Sequence, residues 1–421
     1  MRRNRERGGR MLHSFRQGRQ SAIYPLPLSL AITFHAPAQA DWTTNCVKPI
    51  FSAVSGALRI FVIVNLLMVQ ELRGASLTEW EQTVKAAEKE GQLTVYISGY
   101  VALLDGGYFQ KAFPKIKVTG VSGEGSQLAP RIVSERRAGR YLANVYSGGG
   151  NSIYQVLYLG KMLDPIKPAL LLPEVVDESK WWEGKHKYVD RERQHMFVYE
   201  GNVSAGATPG YNVNLLNPRE FKSYWDFLNP KLKGKIVSID IRQVRGAGLP
   251  WQYLYYNPEL GPPYLKRLYG EMDVTMTGDI RQAIDWLATG KFTLCIPCRN
   301  VARGKHQGLP IDDFEPYHLK EGISLSSAYG QVVLMNRAPH PNAAKVFINW
   351  LLSREGQIAF QKVLSLPEDP KDSRRVDVPK DHIPLQDRRK DGMKYFDLDD
   401  PDTKDIRPVM KLLDEVLAGK K

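Results

Sequence analysis

Cysteine is nearly absent from this chain: three in 421 residues, Cys46, Cys295 and Cys298. That count excludes a disulfide-dense small scaffold and a four-cysteine structural zinc site. No apolar run reaches the ~20 residues that span a bilayer, because Arg59 interrupts the longest candidate, Phe51 to Val69. The sequence has no G-x-S-x-G elbow, no Walker loop and no H-E-x-x-H pair. Its eight histidines are scattered with no helical metal spacing. These absences remove the common hydrolase, nucleotide-binding and zinc-enzyme readings and leave no motif for a catalytic residue, a metal or a cofactor.

The composition is that of a globular protein, 43% hydrophobic and 24% charged, long enough for two domains. The net charge of +13 is unevenly placed: residues 1–75 carry ten Lys/Arg and three Asp/Glu, which is +7, and leave +6 for the rest. So small an excess over the remaining chain does not argue for a nucleic-acid partner.

Residues 1–75 read as a leader. Two apolar cores compete for the role of export signal. Leu26–Phe34 ends at Ala38-Gln39-Ala40, and Ile60–Val69 ends near Gly74-Ala75-Ser76. The second adjoins the folded start and is preferred, with Lys48 and Arg59 as its basic flank. A hypothesis follows that residues 1–46 are absent from the real product. The alternative is an uncleaved single-helix anchor. Cys46 follows Thr-Thr-Asn, a poor lipid-attachment box. The expected location is the periplasm or the extracellular space.

Beyond the leader, helix and strand patterns alternate. Leu77, Trp80, Val84 and Ala87 recur at helical spacing, and Gly91 ends the helix. Strands are expected at Leu93–Ser98, Ile116–Val121, Asn144–Ser147, Lys235–Ile239, Asp273–Met276 and Phe292–Ile296. Helices are expected at Phe109–Phe113, Leu128–Arg137, Ile153–Leu159, Phe221–Leu228, Leu249–Tyr256, Tyr264–Met272, Asp279–Thr289, Ala343–Leu352 and Ile406–Leu417. Such alternation predicts α/β lobes with mostly parallel sheets. The expected division is lobe 1 over 76–205, lobe 2 over 206–312, a return to lobe 1 over 313–366, and a polar C-terminal extension over 367–421.

Gly- and Ser-rich turns follow several of these strands: Ser98-Gly99-Tyr100, Ser122-Gly-Glu-Gly-Ser126, Ser147-Gly-Gly-Gly150 and Thr277-Gly-Asp279. Ligands of open α/β sheets sit beyond the carboxyl ends of strands, where small residues leave backbone N–H groups free. Arg242 and Arg299 each follow a strand; each either clamps a carboxylate or phosphate or is a solvated arginine. Cys295-Ile-Pro-Cys298 closes a predicted strand, the wrong context for a thioredoxin-type site. It is either two unpaired, partly buried cysteines or a local disulfide. Tyr255-Tyr256 reads as packing in place of an iron-ligating pair.

The order and spacing of several segments resemble the extracellular solute-binding proteins of ABC importers, ferric-iron-type branch. The segments are Trp80–Tyr96, Asn144–Gly149, Gly210-Tyr-Asn212, Leu228–Ile236, Gly278-Asp279 through Gly290-Lys291, and His340–Lys345 leading to Ser353–Gln357. The resemblance implies a type II periplasmic-binding fold, two α/β lobes joined by crossing strands around a clamped ligand. It also implies no catalysis and delivery to an ABC permease in the inner membrane; a monomer is expected, and the alternative is a periplasmic enzyme or a sensor on the same scaffold. The iron binders place adjacent tyrosines soon after the strand that follows the Gly-Lys pair. Here that stretch reads Pro297-Cys298-Arg299-Asn300-Val301. The departure favours a small anion, an organic acid or a phosphorylated or phosphonate compound, over ferric iron. The expected ligand-binding residues are Ser98, Tyr100, Gly125, Ser126, Ser147 and Gly148 from lobe 1 and Arg242, Thr277 and Arg299 from lobe 2. Tyr211 and Asn212 lie near the crossover.

Overall fold

A computed structural model describes residues 79–204, 206–243 and 248–419. The leader, with both candidate signal cores and Cys46, lies outside them. No helix among the described residues is long and apolar enough to cross a membrane.

The first helix, 79–90, stops at Gly91, whose positive φ of 65° lets its N–H return to the Ala87 carbonyl; a side chain there would be strained. The chain then builds a sheet from β1 (Gln92–Ile97), β2 (Lys117–Ser122), β3 (Val145–Gly148), β4 (Leu163–Asp164) and β5 (Phe197–Val198). β1 lies parallel between β2 and β3. It crosses out through β6 (Asn202–Ser204) into a second sheet of β7 (Gly210–Asn212), β8 (Ile236–Ile239), β9 (Thr275–Thr277), β10 (Leu294–Cys295) and β11 (Ile311–Asp313). β8 is parallel to both β9 and β10, and its four residues are all buried, as expected of a strand covered on both faces. The chain returns through β12 (Ile323–Ser326) to β13 (Gln331–Met335), which runs antiparallel to β3, β4 and β5.

Each sheet has an apolar layer on either side. In the first lobe, Leu93, Val95 and Ile97 pack with helices Pro341–Leu352 and Arg354–Leu364. Tyr96, Tyr146 and Val333 pack with helix Gly125–Arg137 and the helical turns of 150–158. In the second, Ile236, Leu294 and Ile296 meet helices Gly248–Tyr256 and Gly261–Glu271, while Val237 and Ile239 meet helix Ile280–Ala288.

The crossing strands form their own sheet. β12 pairs antiparallel with β6 and parallel with β14 (Tyr395–Asp397), which comes from the C-terminal extension. The extension then ends in helix Arg407–Ala418, packed against helix Gly261–Glu271.

Several elements differ from their patterns. The expected helix Phe221–Leu228 is two 3₁₀ turns, Pro218–Glu220 and Tyr224–Leu228. Phe221 is extended, a Ser223/Asp226 capping box starts the second turn, and Asn229 before Pro230 ends it. The expected strand Asp273–Met276 starts later because Asp273 adopts a positive φ of 51°. Short helices Ala102–Asp105 and Val301–His306 were not apparent from periodicity.

Candidate functional site

The carboxyl ends of β1, β2, β3 and β5 share one edge of the first sheet, together with the start of β13. Ser98, just beyond β1, is fully buried, and its Oγ has no hydrogen-bond partner among the described residues. Gly99 has φ 79°, and a Cβ there would lie 2.6 Å from the Tyr329 ring. Only glycine lets that ring, 36% exposed, lie across the edge. A Cβ on Gly148 would meet Ser98 Cβ at 2.9 Å and Tyr146 Oη at 3.4 Å. One on Gly125 would meet Ser152 Oγ at 2.6 Å and Tyr146 Oη at 3.3 Å. The Tyr146 hydroxyl is itself buried and without a hydrogen-bond partner among the described residues. Ser98, Gly125, Gly148 and Tyr146 are therefore one cluster, with Ser126 exposed at its rim.

Two expected lobe 1 contacts are used internally. Tyr100 turns into the lobe, where its hydroxyl donates to both carboxylate oxygens of Glu200 at 2.8 and 2.6 Å and its ring packs on Phe360. The Ser147 hydroxyl donates to the Gln331 carbonyl at 3.0 Å and shares a hydrogen bond with Tyr199 at 3.1 Å, tying β3 to β13. Glu200 is buried beside Tyr100 and Asn202, and burial pushes its pKa up to about 8.

In the second lobe, β8, β9 and β10 present their carboxyl ends together. Arg242 is not a free clamp. Its Nε and Nη2 grip the two oxygens of buried Asp240 at 2.9 and 2.8 Å, and its Nη1 donates to Asp414 of the terminal helix at 2.9 Å. The Asp240 and Asp414 carboxylates raise its pKa further, and its guanidinium in turn holds the Asp240 pKa low against burial. Thr277 serves a helix start: its hydroxyl donates to Gln282 and accepts from the Asp279 N–H, while Asp279 caps helix Ile280–Ala288. Asn212 secures the other end of that helix by donating to the Leu287 and Ala288 carbonyls. Arg299 differs. It is half-buried and has no hydrogen bond or ion pair among the described residues, so its guanidinium donors are open. Before it, Cys295 and Cys298 are joined as a disulfide, both fully buried. The disulfide and the Thr208 hydroxyl bond to the Cys298 carbonyl fix the loop that carries Arg299 to the crossover. Tyr256 of the tyrosine pair donates to the Asp405 carbonyl and so anchors the extension.

Tyr211 packs on Phe314 and lines an open cavity of about 960 Å³. The cavity lies between the edge of the second sheet, the crossing strand β6 and residues 367–387 of the extension. Its walls are acidic, with Asp312, Asp313, Asp369 and Asp387 among them. Burial and Asp312 push the pKa of Asp313 up to about 6. Asp190, Glu192 and His195 form a group of metal-ligating type in the first lobe. The Asp190 carboxylate is already taken by the N–H groups of Gln194, His195 and Met196, which close a turn.

Sequence reasoning missed Tyr146, Tyr329 and Lys404. Tyr146 stands beside Ser147 in the short strand expected at Asn144–Ser147, and a hydroxyl in such a run is the signal that would have found it. Lys404 reaches the Gly148–Gly150 turn from the far end of the chain, with no local signal.

Residues 181–363 match the family model described as bacterial extracellular solute-binding protein. No curated protein matches the chain in sequence. Solved periplasmic binding proteins share its fold. FutA from Trichodesmium, in complex with iron and citrate, is 19% identical with TM-score 0.58, covering 77% of this chain and 99% of that one. AfuA from Actinobacillus pleuropneumoniae, with fructose-6-phosphate bound, is 19% identical with TM-score 0.51, covering 77% and 98%. Iron-bound HitA from Pseudomonas aeruginosa is 18% identical with TM-score 0.50, covering 77% and 99%.

Proposed function

The chain carries a bacterial extracellular solute-binding domain on a type II periplasmic-binding fold, and on that premise we propose that it captures a small anion between its two lobes for an ABC permease. One observation carries the choice of ligand. Most of the groups at the strand ends of both lobes that lack a hydrogen-bond partner among the described residues can donate: the Ser98 and Tyr146 hydroxyls in one, beside the acceptor Gln331 Oε1, and the Arg299 guanidinium in the other. Donors left open at such an edge suit an oxyanion, carboxylate or phosphate. Gly125, Ser126 and Gly148 complete the lobe 1 wall, and Tyr211 stands near the crossover. Residues 76–205 with 313–366 form one lobe in this reading and 206–312 the other, with 367–421 added across them. The protein acts as a monomer outside the cytoplasm, binds no nucleic acid and catalyses nothing.

Ferric iron is the second reading, because FutA and HitA hold iron. Burial raises the Tyr146 pKa, which opposes a phenolate ligand, and Arg299 would repel a trivalent cation. Native mass spectrometry of the purified protein, followed by calorimetric titration, tests the proposal. A co-bound organic acid or phosphorylated compound is expected. Binding of ferric iron with no response to anions would overturn the anion reading, and no small-molecule binding at all would overturn solute capture.

A further inference from the structure

Lys404, in the segment between β14 and the terminal helix, is 4% exposed. Its ammonium has no hydrogen-bond partner among the described residues. A Cβ on Gly150 would lie 2.6 Å from Lys404 Nζ, so the ammonium is pressed against the turn that follows β3. Gln331 shares the site, and its Oε1 also lacks a donor. On the same turn, Gly148 pairs with Gln331 and approaches Ser98 and Tyr146. Four buried polar atoms without hydrogen-bond partners among the described residues, Ser98 Oγ, Tyr146 Oη, Gln331 Oε1 and Lys404 Nζ, thus border three consecutive glycines at the ligand edge of the first lobe.

Asp399 is the neighbouring negative charge, but it does not absorb the ammonium. Its carboxylate accepts from the Ser327 N–H, the Ser327 hydroxyl and Gln331 Nε2 at 2.7, 2.7 and 2.9 Å, and it makes no ion pair with Lys404 within 4.0 Å. The Tyr154 ring is 6.0 Å from the ammonium. An ammonium has three donors, and burying them unmatched is costly. Burial accordingly lowers the Lys404 pKa despite the aspartates around it. Ile406, two residues on, touches Gly248 at the start of a second-lobe helix, so this segment lies where the two lobes meet.

We propose that Lys404 is the cation that pairs with the carboxylate or phosphate of the captured solute at the Gly148–Gly150 turn, which makes the C-terminal extension part of the binding site. This rests on the solute-binding reading and names a specificity-determining residue within it. The two oxyanion chemistries are separated by the choice of probe.

Titration calorimetry on the wild-type protein, Lys404→Met and Lys404→Arg with citrate, inorganic phosphate, fructose 6-phosphate and neutral fructose tests it. Wild type should bind at least one of the anions. Lys404→Met should weaken that binding at least tenfold, and Lys404→Arg should stay within a few-fold. Citrate binding identifies a carboxylate site, and phosphate or fructose 6-phosphate binding a phosphate site. Should Lys404→Met not fold by circular dichroism, Tyr146→Phe and Ser98→Ala decide, each expected to lose affinity several-fold. Unchanged affinity in Lys404→Met, or in both hydroxyl variants, overturns the proposal. Wild-type binding of fructose but of none of the anions overturns it while leaving solute capture intact. Binding of no probe also overturns it, and the native mass spectrum then decides whether solute capture survives.

Discussion

The carboxyl group of Glu200 shows what a single buried position costs this fold. It lies against Gly330, takes the Tyr100 hydroxyl and the Asn202 amide, and holds its proton up to a pKa of about 8 because burial outweighs the nearby Lys371. Its ordinary value is 4.5. Between those two values the folded state keeps a proton that the unfolded state has released. The folded state binds more protons, so stability falls as pH rises through this window. Glu200→Gln removes the titration. Urea unfolding from pH 5 to pH 8 should show wild type losing roughly 3 kcal/mol relative to Glu200→Gln, since each pKa unit is worth 1.36 kcal/mol and most of the window between the two values lies in that range. A constant difference across that range would show that Glu200 does not titrate there. Glu200 also explains why Tyr100 was legible as a residue near the strand end but not in its role. The partner that turns the phenol inward is 100 positions away and carries no local mark.

At the scale of the element, what could be read depended on whether the cause was local. Strand β1 showed in its apolar run and in the glycine before it, and helix Ile280–Ala288 in Asp279 and in its amphipathic face. The turns after β1, β2 and β3 were legible for the same reason, because glycines that admit close neighbours stand in the sequence itself. The terminal helix Arg407–Ala418 was also expected, but its destination was not. Asp414 meets Arg242 across 172 positions, and nothing near either residue marks the pairing. The helix buries Val409, Leu412 and Leu413 against the second lobe. Leu413 is 1% exposed, so Leu413→Ala should cost about 3 kcal/mol by leaving a cavity. Chemical denaturation would measure it, and a loss below about 1 kcal/mol would mean that the helix is only loosely docked.

Across the whole molecule, the extension touches both lobes and the strands that join them. Arg375 is buried and reaches the Leu352 and Glu174 carbonyls of the first lobe. β14 adds a third strand to the crossing sheet, and Asp399 holds Ser327 at the return. Helix Arg407–Ala418 covers the second lobe. Two lobes joined only by β6 and β12 could unfold separately, since cooperativity between lobes needs shared packing. The extension supplies it, so differential scanning calorimetry of the full chain should give one transition with equal calorimetric and van't Hoff enthalpies. A chain ending at Gly392 loses β14, Asp399 and the terminal helix but keeps Arg375. Its second lobe, stripped of the cover over helix Gly261–Glu271, should melt first and split the trace in two. A single transition at the wild-type temperature in the shortened chain would show that β6 and β12 suffice to couple the lobes. A split would mean that the extension braces the two lobes, so that the proposed capture of a solute between them includes the work of moving the extension with both.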